Sequence, residues 1–147
     1  MSMAQQEQFN IQIGSELTQN VQPILHEIRH ALDELITTGK NRVIDLRTIP
    51  LAPGEEEQIL LKLGNGEVQA QLDALGRSEI YETKYKGVWL VTHFNSEDNI
   101  VGRFIEITTI PEILKSQQED IQDSLNQLES ELQPHDDISG NTTQEVN

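Results

Sequence analysis

Between Val68 and Ile110 the apolar residues fall on alternate positions, and only turn-length segments interrupt them. Val68, Ala70 and Leu72 alternate with Gln69, Gln71 and Asp73. After Ala74-Leu75-Gly76 comes a second stretch, Glu79 to Tyr85. Gly87 separates it from a third, Val88 to Phe94, and the turn Asn95-Ser96-Glu97-Asp98-Asn99 leads into a fourth, Ile100 to Ile110. Parallel neighbours need a crossover of a dozen or more residues, and no connection here is that long. Four consecutive strands must therefore pair antiparallel.

The preceding sequence has a different period. Leu17, Val21, Ile24, Leu25, Ile28, Leu32, Leu35 and Ile36 share one stripe at 3.6 residues per turn. Asn20 suits the N-cap, Pro23 the first turn and Gly39 the stop, which predicts a helix from about 21 to 38. Arg42 to Arg47 reads as a short strand. Pro50 and Pro53-Gly54 break the chain before Glu55-Glu56-Glu57, carboxylates that suit a helix N-terminus. Ile59, Leu60 and Leu63 give that second helix an apolar face, and Gly64 ends it. At the far end, Thr109-Ile110-Pro111-Glu112 matches a capping box, and Ser116-Gln117-Gln118-Glu119 matches it again, so a last helix starts, restarts or kinks there. Its apolar residues Leu114, Ile121, Leu125, Leu128 and Leu132 form a narrow seam. The seam is expected first to lie on its own domain, with a partner helix as the second reading. The element order is α-β-α-β-β-β-β-α. The expected fold class is α+β, a largely antiparallel sheet of about four to five strands packed with two to three helices.

Charge narrows the partners. The 147 residues carry 10 Lys and Arg against 25 Asp and Glu, a net charge of −15. A nucleic-acid binder neutralises phosphates with clustered bases, and an anionic membrane surface attracts bases too, so neither partner is expected. No apolar run approaches the roughly 18 residues of a membrane span, and the N-terminus lacks the basic-then-apolar pattern of a signal peptide. With no cysteine, the chain offers no disulfide, thiolate nucleophile or iron–sulfur ligand. A cytoplasmic location fits these features. The acid is concentrated late: residues 112–147 hold 9 acidic residues and one Lys. The expected organisation is a flexible N-terminus over 1–15, one α+β domain over 16–132, and a disordered acidic tail over 133–147.

The most conspicuous enzymatic motif is His26-Glu27-Ile28-Arg29-His30, a literal H-E-x-x-H with two imidazoles one turn apart and a Glu placed as a base. Stepping about 100° per residue places His26 and His30 roughly 150–190° from the centre of the apolar stripe. They should face solvent, where no walled cleft supplies a third ligand. Of the other histidines, His93 lies in a strand and His135 in the expected tail. A metal-dependent hydrolase using His26 and His30 is thus the minor alternative. Four dispersed histidines also argue against nickel delivery. The glycines at 64, 66, 76 and 87 do not form a phosphate cradle, and no serine sits in a nucleophile elbow. No catalytic set or cofactor site is expected.

The strands offer a second constellation. Five of the six aromatic residues lie between positions 81 and 104. Trp89, Val91 and His93 point one way, while Val88, Leu90 and Phe94 point the other. Helices covering both sheet faces would make these residues core or rim. An open face or edge would instead present aromatics, Arg103 and Glu106 to another protein, since Trp, Tyr and Arg anchor such contacts. Tyr85, Trp89, His93, Arg103 and Glu106 are the expected partner-facing residues.

Several strings carry a resemblance: Leu25 to Leu32, Val43 to Glu57 (VIDLRTIPLAPGEEE), Leu63 to Val68, Leu75 to Ile80, Glu82 to Trp89, Val91 to His93, and Phe104 to Leu114. In this order they resemble the C-terminal domain of the hydrogenase expression/formation family HupH/HyaF, over about 20 to 121, in a short single-domain form. The resemblance implies a non-catalytic, chaperone-like cytoplasmic accessory in [NiFe] hydrogenase maturation. It also implies a partner: the immature small, iron–sulfur subunit or other maturation proteins. It carries over no particular functional residue.

Overall fold

The computed structural model describes residues 20–134. The expectations for residues 1–15, for Leu17 and for the tail beyond Pro134, His135 included, fall outside these residues. Two compact units divide the chain at Pro111 and Glu112.

In the first unit, helix α1 runs Val21–Thr38. It buries Val21, Ile24, Ile28 and Ala31, with Leu25, Leu32 and Leu35 packed beside them. Gly39 stops it at φ 75° and donates its N–H to the Leu35 carbonyl at 2.9 Å. Two details depart from the stripe. Ile36 is 83% exposed. Asn20 makes no side-chain cap, because its side chain serves another bond described below.

Strand β1 covers only Arg42–Asp45. The Asp45 carboxylate accepts the Arg47 N–H at 3.0 Å and turns the chain into a single 3₁₀ turn, Leu46–Thr48, so the expected strand ends early. Helix α2 is Glu55–Leu63, opened by Gly54 and closed by Gly64. Strands β2 (Gln69–Asp73), β3 (Arg77–Glu82), β4 (Val88–Phe94) and β5 (Ile100–Ile107) follow. All pair antiparallel in the order β1-β5-β4-β3-β2, the α+β architecture expected from the periodicity. The β1–β5 pairing, Ile44 opposite Ile105, closes the sheet across the longest sequence separation.

One sheet face meets both helices. Ile44, Val88, Leu90, Ile105 and Ile107 join Ile24, Ile28, Ile59 and Leu63 in one buried cluster. Each such aliphatic side chain contributes about 1.5–3 kcal/mol on burial. Ile80, Trp89 and Val91 alternate to the opposite face and are buried as well.

The second unit holds a 3₁₀ turn, Glu112–Leu114, and helix α3, Gln118–Leu132. The helix starts at the second of the two capping-box matches, with Gln117 at the N-cap and no side-chain cap, so Leu114 lies outside it. Ile121, Leu125, Leu128 and Leu132 are each about half exposed or more. No helix among the described residues is long and apolar enough to cross a membrane.

Candidate functional site

The β3–β4 turn is tied to the end of α2 by backbone bonds. Lys84 N–H reaches the Leu63 carbonyl at 2.9 Å, and Gly66 N–H reaches the Glu82 carbonyl at 2.7 Å. The Thr83 hydroxyl donates to the Tyr85 carbonyl and accepts the Tyr85 N–H, a clasp that fixes the turn. Gly87, at φ 89°, donates to the Glu82 carboxylate at 3.1 Å. Tyr85 is thereby held out from the sheet, 47% exposed, with Lys84 Nζ 5.1 Å from its ring centroid.

Tyr85 forms one wall of an apolar depression between the two helices. Leu25, Ile28, Arg29, Leu32 and Leu63 complete it, enclosing about 350 Å³. A second depression, lined by Arg29, His30, Asp33 and Ile36, shares Arg29 with it.

The remaining four expected partner-facing residues do not gather around Tyr85. Trp89 is only 5% exposed, and its Nε1–H donates to the Thr108 carbonyl at 3.1 Å. The expectation of an exposed anchor is corrected here: the indole is buried, and its polar atom is satisfied by backbone. His93 lies on the same sheet face, with Nδ1 2.7 Å from the Ser78 hydroxyl and its ring edge-on to Phe104 at 5.7 Å. Glu106 stands opposite Trp89 in the β4–β5 register. Arg103 alternates to the helix-bearing face. Its Nη1 donates to Glu56 and its Nε to Thr92, both at 3.2 Å. Burial raises the Tyr81 pKa, and the Arg103 charge pulls against that rise.

His26 and His30 are exposed on α1, on the face the helical geometry assigns them. Among the described residues no group of three His, Asp or Glu is arranged to hold a metal ion.

One functional-looking group has a structural task. Glu55 is buried, yet it accepts three bonds: from Asn20 N–H at 2.8 Å, Asn20 Nδ2 at 2.9 Å and Ala52 N–H at 2.7 Å. The Asn20 side-chain bond, then the backbone bonds from Ala52 and Asn20, hold its pKa below the ordinary carboxylate value against the cost of burial. The acidic start of this helix, Glu55-Glu56-Glu57, is visible in the sequence. The pairing with Asn20, 35 residues away, is not.

Residues 18–134 match the family described as "HupH hydrogenase expression protein, C-terminal conserved region". A hydrogenase expression/formation protein HoxQ from Azotobacter vinelandii is 32% identical over 114 residues, 74% of this chain and 39% of that protein. HupH from Rhizobium leguminosarum bv. viciae is 29% identical over 105 residues, 71% of this chain and 37% of its own. The solved hydrogenase expression protein HupH from Thiobacillus denitrificans superposes with a TM-score of 0.74 at 36% identity, over 77% of this chain and 94% of that one. The chain thus spans about two fifths of the curated relatives it matches and nearly all of the solved one. By the match over residues 18–134, the chain belongs to the HupH family of hydrogenase expression proteins.

Proposed function

We propose that this chain is a non-catalytic, chaperone-like accessory in [NiFe] hydrogenase maturation, working in the cytoplasm by binding the immature small, iron–sulfur subunit. The observation that carries the reading is the family match across residues 18–134, with relatives named for hydrogenase expression and formation. The fold supports a binding role. Tyr85, an aromatic side chain of the type that anchors protein contacts, is held exposed beside an apolar depression by a turn bonded to α2. The partner surface is therefore centred on Tyr85, with His93, Arg103 and Glu106 lying apart from it on the sheet. The test is co-purification from cells that make the hydrogenase, repeated in strains lacking the small or the large subunit. Capture that disappears only without the small subunit supports the reading. Capture that survives its deletion and disappears without the large subunit contradicts it.

A further inference from the structure

The Tyr85 depression differs in charge from the molecule around it. The chain carries −15 overall, yet the bases at this depression make no ion pair among the described residues. Arg29 lines it, Lys62 adjoins the lining residue Leu63, and Lys84 and Lys86 flank Tyr85 in the turn. All four are exposed, and among the described residues none makes an ion pair, whereas Lys40, Arg42, Arg77, Arg103 and Lys115 each hold a carboxylate and Arg47 donates to the Ile100 carbonyl. Two carboxylates stand nearby against these four bases, Asp33 beside Arg29 in the second depression and Glu82 bonded to the Gly87 N–H. The rim is therefore locally basic. At about 0.1 M salt, charges more than about 10 Å away are largely screened, so these local bases outweigh distant acids for a docked group.

We propose that the depression receives an acidic amphipathic segment of a partner protein, with a bulky aliphatic side chain seated against Leu25, Ile28, Leu32 and Tyr85 and flanking carboxylates on the four bases. The inference rests on the binding role proposed above and adds the chemistry of the bound segment. The apolar walls supply the affinity. The rim selects acidic flanks over basic ones and speeds encounter. Arg29 in the lining, Lys84 over the Tyr85 ring, and Lys62 and Lys86 next to lining residues, none ion-paired among the described residues in a chain with 25 acids, are the complementarity that specifies this occupant.

The test uses the full chain and a fluorescein-labelled peptide in which two Leu residues four apart are flanked by Glu, with a control peptide carrying Lys in place of Glu. Fluorescence anisotropy should show saturable binding of the Glu peptide and binding of the Lys peptide at least about tenfold weaker. Tyr85→Ala should weaken the Glu peptide about tenfold or more, with Tyr85→Phe close to wild type. The paired variant Arg29→Glu with Lys84→Glu should reverse the preference between the peptides. All these positions are exposed, and unchanged melting temperatures confirm that each variant is folded. Equal binding of both peptides, no binding of either, or an unaffected Tyr85→Ala overturns the proposal. Because these titrations contain no hydrogenase, their failure would leave the small-subunit result standing, and the reverse also holds.

Discussion

Asn20 and Glu55 lock the starts of the two core helices together: Glu55 Oε2 accepts the Asn20 backbone N–H at 2.8 Å, and Oε1 accepts its side-chain amide at 2.9 Å. The carboxylate sits at the first position of α2 while Asn20 precedes α1, so one buried group sets the relation of both helix N-termini. Every partner atom is a donor. Glu55→Gln should therefore lower the melting temperature by about 5 °C or more, because the new amide must turn a donor toward donors.

The same contact makes stability pH-dependent. The folded-state pKa of Glu55 is depressed, so its contribution is fully present above the ordinary carboxylate pKa of about 4.3 and is lost as pH falls through the folded value. Denaturant unfolding between pH 6 and pH 3 should show a steeper loss of stability in the wild type than in Glu55→Gln. Identical slopes would mean that the carboxylate is not the titrating group.

Trp89→Ala should cost about 3–5 kcal/mol of stability, as expected for removing a buried indole. Trp89→Phe keeps most of the packing and leaves the Thr108 carbonyl without its donor, so its cost should be about 1–3 kcal/mol. A neutral Trp89→Ala in urea unfolding would return the residue to the surface.

The sheet was legible because its signal is local. The period of two between Val68 and Phe94, the short turns and the stop glycines each act within a few residues. The antiparallel pairing of β2 to β5 follows from them. Alternation also separated Trp89 from Leu90 correctly, but it cannot say which faces are covered. Trp89 was therefore expected at the surface, although its face is buried. Tyr85 was expected there and is there, yet its neighbours Leu25, Leu32 and Leu63 come from helices distant in sequence. The Asn20–Glu55 lock was hidden for the same reason: Asn20 has the ordinary character of an N-cap, and only tertiary placement redirects its side chain.

Gly66 illustrates a contact of that kind. A Cβ there would stand 2.5 Å from the Thr83 carbonyl oxygen and 2.8 Å from that of Glu82, both backbone. Gly66→Ala should cost about 1–3 kcal/mol, since neither carbonyl can move without disturbing the Tyr85 turn. An unchanged melting temperature would show that the turn yields freely.

The double variant His26→Ala with His30→Ala should keep its stability within about 0.5 kcal/mol and support hydrogenase maturation, because both rings project from the exposed face of α1. A stable double variant that abolished hydrogenase activity would instead assign the pair a metal or partner role.

The proposed grip on a hydrogenase subunit runs through the Tyr85 surface. The most direct measurement replaces Tyr85 with photoreactive benzoylphenylalanine in cells making the hydrogenase, irradiates them, and identifies the adduct by mass spectrometry. A covalent adduct with the immature small subunit is expected, and it should be absent when the probe is placed at exposed Leu75, in the turn at the far end of β3. An adduct that forms equally from position 75, or no hydrogenase adduct from position 85 while the variant still supports maturation, would overturn the Tyr85 surface as the point of contact.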